Sequence, residues 1–367
     1  MEQVHPLTTL GVYSDTSVSC TQVALVQTDS IDIFENKYHI TRPYPEELKE
    51  AIHAISGQTD PQNLPTFQQV EQQITQHHIA AIQALLDTIP ATERKIDGIG
   101  YSGHTLLHQA TNKLSLQIGN TEDILHAFHI PVVDRFYQTD LMAGGQGEPI
   151  FPVFFEALAR PLSKPLMVVS IGGLASLTYI GENGELQAFQ TGPGNMLLDK
   201  WMHKRMGADM DFDGLWAAKG TIDERVLGKL LKTPQFLLPP PKAFDKSEFD
   251  DLLDDIESLS VSDGAATLTA LTAQSMVKQA QAFMPSLPPL WIITGGGAFN
   301  PSIVKALKLL LPDVDVQTAD QVGWDVASLE AQGLAFLAAR SLFHLPISLP
   351  QTTGVEIPTS GGVLHAD

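Results

Sequence analysis

Both halves of this chain begin the same way, with a strand, a short turn of small and polar residues, and a second strand. Residues 11–26 read GVYSDTSVSCTQVALV, and residues 165–180 read PLMVVSIGGLASLTYI. After each pair, apolar strands alternate with helices. That alternation predicts an α/β architecture whose ligand loops lie at strand ends. At 367 residues the chain is long for one core, so two domains are expected.

In the first half, FQQVEQQITQHHIAAIQALLDTI places Val70, Ile74, Ile82 and Leu85 near one face of a helix. His77 and His78 within it point in different directions, which fits solvated surface residues better than joint metal ligands. KIDGIGYSGHT reads as a strand ending in a small-residue loop; LQIGN and IPVVDRFYQTDLMAGGQGEP repeat that design. In the second half, Asn183-Gly184 predicts a hairpin turn, and GNMLLDKWMHKRMG predicts a helix. LLPPPKAFDKSEF is a proline-stiffened connector. PPLWIITGGGAFNPSIVKALKLLL reads as strand, glycine turn and helix, with Asn300 as N-cap and Pro301 at the first helical position. A boundary near residues 144–149 gives domains 1–150 and 151–367, with the last helix free to pack back on the first.

Lys and Arg number 22 against 42 Asp and Glu, a formal charge of −20. This argues against a nucleic acid or an anionic membrane as the main partner, but not against small anions held by local N–H groups. The single cysteine, Cys20, forms no intrachain disulfide. The opening MEQVHPLTTL lacks the pattern of a signal peptide, and no apolar run has the length of a membrane span. A cytoplasmic protein is expected.

Four glycine-bearing loops follow strands: IGGLAS, TGPGN, GGQGEP and TGGGAFN. None matches a P-loop or dinucleotide fingerprint, and each alone reads as a tight turn. Their recurrence in both halves points to a nucleotide held in a cleft. TGPGN, opening a helix, offers N–H groups to an anion. TGGGAFN lets the backbone approach a flat base or ribose.

The order of these loops resembles that of the anhydro-N-acetylmuramic acid kinases, members of the actin-like, sugar-kinase and heat-shock ATPase superfamily. LQIGN, AGGQGEP, IGGLASLT, TGPGNMLLDKW, DFDGLWAAKG, LPPPK, GGGAFNP and SLPQTTG carry the resemblance, in order, from Gly11 to Gly354. It implies a two-domain actin-like ATPase fold with an interdomain cleft walled by residues 11–20, 190–195 and 295–300. It also implies ATP and Mg2+ as cofactors and a homodimer. The reaction it implies opens the anhydro ring of an amino sugar and phosphorylates O6, a step of cell-wall recycling. By the same resemblance, Ser14, Asp15, Thr16, Ser17, Ser19, Thr191, Gly192, Gly194, Asn195, Gly295, Gly296, Gly297 and Asn300 stand at nucleotide positions. Ser102, His104, Thr105, Asp134, Arg135, Tyr137 and Gln146 stand at sugar positions.

Several of these residues depart from the family. The carboxylate base expected directly before TGPGN is Gln190, whose amide accepts no proton at ordinary pH. The family reads Ser-Gly-Thr-Ser-Leu-Asp-Gly where this chain has Ser14, Asp15, Thr16, Ser17, Val18, Ser19 and Cys20. Asp15 thus sets a negative charge where phosphate should approach, and Ser19 removes an expected metal carboxylate. No residue is assigned as a metal ligand. The family's Asp-Phe-Arg clamp is Arg135, Phe136 and Tyr137, with Asp134 one place early, and its His in the glycine loop is Phe299. Structural glycines and prolines survive while chemical side chains are replaced, so a non-catalytic homologue is expected. Such a protein would bind an amino sugar, a nucleotide or a protein partner. The alternative is an active kinase whose base is Glu148, following Gly147, or one acting on an open-ring sugar that needs no base.

Overall fold

The apolar runs of the two halves become the central strands of two separate sheets. The computed structural model describes residues 6–15, 17–56, 58 and 60–367, with the side chains of 34–37 outside that description. From the N-terminus, β1 (Leu7–Ser14), β2 (Cys20–Thr28) and β3 (Ile33–Pro43) form an antiparallel meander. Helices α1 (Glu46–Ile55) and α2 (Phe67–Thr88) precede β4 (Gly98–Tyr101) and the paired strands β5 (His104–Gln109) and β6 (Leu114–Ile118). Then come α3 (Thr121–Phe128), β7 (Val132–Asp134), α4 (Phe136–Met142) and α5 (Pro152–Leu158). A second meander, β8 (Leu166–Ile171), β9 (Leu174–Ile180) and β10 (Leu186–Pro193), leads into α6 (Met196–Met206), α7 (Leu215–Lys219), α8 (Glu224–Leu230) and α9 (Val261–Phe283). The chain continues through β11 (Leu290–Thr294), α10 (Pro301–Leu310) and β12 (Asp315–Thr318), and ends with α11 (Leu329–Leu342) and β13 (Val363–His365).

Two compact units result, one reaching Pro161 and resuming at Ala327–Asp367, the other Leu162–Val326. The chain therefore divides after residue 161 and returns at 327, and α11 and β13 belong with the first unit. In place of a continuous 151–367 domain there is an inserted one. The sheet of the first unit runs β13-β7-β4-β1-β2-β3, and that of the second β10-β9-β8-β11-β12. Within each, the meander joins two parallel neighbours in the same order, β3-β2-β1-β4-β7 and β10-β9-β8-β11-β12. Among the described residues, no helix is long and apolar enough to cross a membrane.

Local signals act as expected at several points. Val70, Ile74, Ile82 and Leu85 are buried on α2. Asn300 Oδ1 accepts from the N–H groups of Ser302 and Ile303 at 3.0 and 3.3 Å, capping α10. Gly184 adopts φ 85° in the turn from β9 to β10. The reading of His77 and His78 as solvated is corrected, because both are buried, His78 completely. Tyr44 stacks on His77 with ring centroids 4.6 Å apart, and His78 bonds to Tyr44 and Tyr101.

One close approach organises the first unit. Gly11 on β1 and Gly100 on β4 are direct register partners in the parallel ladder. A Cβ on Gly11 would run into the carbonyl of Ala331, and one on Gly100 into that of Leu334. Only glycine lets α11 lie this close to the sheet. The Thr9 hydroxyl adds a hydrogen bond to the Ala335 carbonyl at 2.8 Å. The same helix carries Glu330, whose carboxyl burial raises to about 7, with nearby Asp15 adding to the shift and a hydrogen bond from Gln22 opposing it.

Two outcomes are predicted. Gly11→Ala forces backbone apart and should cost about 1–3 kcal/mol in urea unfolding; an unchanged midpoint would contradict the packing. Glu330 binds a proton in the folded chain that the unfolded chain, near 4.5, has released. Its contribution to stability is therefore fully present below pH 4.5 and lost as pH rises to about 7. Glu330→Gln should raise the melting temperature at pH 8 by about 2–4 °C, and by clearly less at pH 5.

Candidate functional site

The turn between β1 and β2 gathers hydrogen-bond donors around one point, and the carboxylate of Asp15 occupies it. Oδ1 accepts from the backbone N–H groups of Ser19 and Cys20, each at 2.9 Å. Oδ2 accepts from the Ser19 hydroxyl at 2.5 Å and from the Ser17 hydroxyl. Such a ring of N–H and O–H donors is how a protein loop holds a phosphate. Here the loop supplies its own anion. Val18 closes the turn at φ 59°, with its side chain buried. Burial and the Asp15 charge push the Cys20 thiol up to about 11, so it is a thiol at neutral pH. Thr16 lies outside the described residues.

Ser14, at the end of β1, turns away from the turn and into the interior. Its hydroxyl lies 2.7 Å from both Tyr44 Oη and His104 Nδ1. Tyr44 Oη lies 2.8 Å from His78 Nε2, and His78 Nδ1 lies 2.9 Å from Tyr101 Oη. Burial holds His78 well below its ordinary value, so it is neutral, with one ring nitrogen donating and the other accepting. A buried chain of four side chains thus runs from Ser14 through Tyr44 and His78 to Tyr101, with His104 branching from Ser14.

Tyr101 lines a cavity of about 480 Å³ in the same unit, together with Ser102, Asp134 and Arg135. Asp134 accepts from the Thr121 hydroxyl at 2.5 Å and lies 3.0 Å from His365 Nε2. Arg135 takes a left-handed conformation at φ 54°, with its guanidinium 3.8 Å from Asp134. Thr105 lies on β5 beside the Gln117 amide, at 3.3 Å. Tyr137 is buried, its ring edge-on to His108. Gln146 is tied by its backbone to Thr353 and His108. Glu148 lies near Tyr13 and Tyr137 and helps burial push both phenols up.

In the second unit, Gln190 is buried, and its Oε1 accepts from the Phe244 N–H at 2.8 Å while its backbone N–H donates to the Lys242 carbonyl. The side chain therefore ties β10 to the proline connector. Burial lowers the Lys242 amine to about 8, and it donates to Gln279, which in turn donates to the Thr191 carbonyl at 2.7 Å. The N–H groups of Gly194, Asn195 and Met196 all donate to carbonyls of Gly172 and Gly173. These three are engaged inside the protein, contrary to the expectation that TGPGN leaves its N–H groups free. Gly192 sits at φ 113°, and Gly295 at φ 73° packs against the Ile171 backbone. Gly297 presses on the Ile171 side chain, whereas Gly296 faces open space beside the Asn195 amide. The DFDG turn joins this cluster through the Ser302 hydroxyl, which donates to the Gly214 carbonyl at 2.8 Å. Phe299 stands 63% exposed beside it.

Sequence reading missed Tyr44, Asp140, Glu122 and His365. Asp140 is buried and accepts from the Gly147 N–H at 2.6 Å, anchoring the GGQG turn. The AGGQG motif was a signal for it; nothing local marked the other three. Among the described residues, no group of three or more His, Cys, Asp or Glu is arranged to hold a metal.

The family model for anhydro-N-acetylmuramic acid kinase matches residues 7–367. A kinase of that name from Bradyrhizobium diazoefficiens is 39% identical over 98% of this chain and 99% of its own length. The corresponding protein of Rhodopseudomonas palustris is 38% identical, again over 98% and 99%. Among solved structures, (R)-2-hydroxyglutaryl-CoA dehydratase component A from Acidaminococcus fermentans is 11% identical and covers 91% of this chain and 98% of its own, at TM-score 0.48. A ROK family glucokinase from Streptomyces griseus is 13% identical over 91% and 99%, at TM-score 0.43. Matched from β1 to its last residue, and nearly 40% identical to full-length relatives, the chain belongs to the anhydro-N-acetylmuramic acid kinase family.

Proposed function

We propose that this family member binds an amino sugar and the adenosine side of a nucleotide without catalysing ring-opening phosphorylation. The observation that carries the reading is the Asp15 carboxylate, which takes the donors of the β1–β2 turn. The family implies ATP and Mg2+, but this turn as built does not fit a γ-phosphate. Entry of a phosphate would require Asp15 to leave its four partners and would then set two anions side by side. Phosphoryl transfer depends on positioning of phosphate and metal, so loss at this turn is severe.

Gln190 supports the same reading from the other unit. An amide cannot take a proton from attacking water, and general-base contributions are about 10²–10⁴-fold. This amide is also held in place by the Phe244 N–H. The adenosine side is better preserved: Gly296 opens beside Asn195, and Asn300 keeps its capping role. Ligand binding with a regulatory role accounts for a fold kept intact around altered chemistry.

The test is turnover, followed by phosphorus NMR with Mg-ATP and 1,6-anhydro-N-acetylmuramic acid. The unmodified protein should form no sugar 6-phosphate, and neither should Gln190→Asp alone. Gln190→Asp combined with Asp15→Gly, Ser19→Asp and Cys20→Gly should restore measurable phosphorylation. Robust ring opening by the unmodified protein would overturn the proposal, and Glu148 would then be the first carboxylate to replace.

A further inference from the structure

One imidazole in the first unit stands between two carboxylates. β13 pairs antiparallel with β7, with His365 opposite Val132, and adds a three-residue edge to the six-stranded sheet. His365 Nε2 lies 3.0 Å from Asp134 Oδ1 at the end of β7, and Nδ1 lies 3.2 Å from Glu122 Oε1 at the start of α3. An ionised carboxylate only accepts, so the two bonds form together only when both ring nitrogens carry hydrogen, which is the imidazolium. A neutral ring keeps one donor and turns a lone pair on the other carboxylate. The His365 and Asp134 side chains are 16% and 10% exposed, so solvent screens their attraction weakly. A second pair, His129 Nδ1 and Asp367 Oδ2 at 3.0 Å, is 74% and 55% exposed and holds far less.

Apart from this latch the segment is lightly held. A three-residue strand makes few ladder bonds, and its Leu364 is exposed. The residues just before it are fixed. The Gly361 carbonyl accepts from the Ser341 hydroxyl at 2.6 Å, and the Gly362 N–H donates to the Thr139 hydroxyl at 3.0 Å. Gly362 adopts φ 82°, and a Cβ there would meet the Val133 side chain. A fixed pivot followed by a short strand with one side-chain latch is the geometry of a strap. His365 also lines the cavity of about 480 Å³, together with Tyr101, Ser102 and Asn120. The other charged groups there are Glu71 from α2 and Arg135 at the start of α4, the latter 3.8 Å from Asp134. Asp134 Oδ2 is engaged by the Thr121 hydroxyl, which leaves Oδ1 to the imidazole.

We propose that residues 363–367 are a pH-operated strap on this cavity, pivoting at Gly361 and Gly362 and latched by the imidazolium of His365 between Glu122 and Asp134. The strap is fastened while His365 is protonated and the carboxylates are ionised. It loosens as rising pH takes the proton from the ring. Arg135 is a fixed positive charge beside Asp134, and Glu71 adds negative charge to the wall, so neither replaces the latch. Release takes the His365 side chain out of the cavity wall and widens the mouth toward solvent.

Hydrogen–deuterium exchange of the full chain, read by mass spectrometry at pH 5.5 and 8.5, tests it. Protection of the peptide covering residues 362–367 is referred to the same peptide unfolded, which removes the intrinsic pH dependence of exchange. Protection should fall about tenfold between the two pH values, as when a charge-assisted hydrogen bond is lost. His365→Ala should show the low value at both, and the exposed change Glu122→Gln should narrow the difference. Peptides from β1 and β4 should stay protected throughout, which separates a released strap from general unfolding. Equal protection of the unmodified strap at pH 5.5 and 8.5 would overturn the proposal. So would an undiminished pH dependence in His365→Ala, or loss of protection in β1 and β4 in step with the strap.

Discussion

Backbone contact between α11 and the paired glycines Gly11 and Gly100 is the constraint from which the first unit is built. The two glycines lie side by side in β1 and β4, and each faces a carbonyl of the helix with no room for a methyl group. The contact holds the returning C-terminal segment on the sheet of the N-terminal one. It also fixes where Glu330 stands, within the field of the Asp15 carboxylate in the β1–β2 turn. Of the two strands bound by this helix, β1 ends at the turn that holds Asp15 and β4 at the cavity wall.

Between those ends runs the buried chain from Ser14 through Tyr44 and His78 to Tyr101. A network in which every member is satisfied is rigid, because moving one hydroxyl strands its neighbours. The turn and the cavity are therefore braced against each other. At one end the brace holds a turn that contains its own anion, and at the other a cavity whose wall includes Glu71, Glu122 and Asp134.

Much of the fold was legible because its signals are local. The apolar face of α2, the Asn300 cap and the Asn183-Gly184 turn each depend on residues within a few positions of one another. The loops were legible as an ordered set, through the resemblance they carry. What stayed hidden depends on partners far along the chain. His78 is buried by Tyr44 and Tyr101, 34 and 23 residues away, which the helix periodicity does not show. His365 reaches Asp134 across 231 residues. The acceptors of the TGPGN amides lie on the IGG turn upstream, so nothing within the motif shows that they are engaged. In the sequence Asp15 is only a repulsive charge, and the folded turn shows that its neighbours bind that charge.

Whether the Asp15 carboxylate occupies the anion seat of the turn is tested by nucleotide titration of two proteins. Mg-ATP and Mg-ADP are each titrated into the unmodified chain and into Asp15→Gly. If the Asp15 carboxylate holds the anion seat, the unmodified chain binds the two nucleotides equally well, and Asp15→Gly gains a preference for ATP. A clear, magnesium-dependent preference for ATP in the unmodified chain, unchanged in Asp15→Gly, would show that the carboxylate does not hold that seat.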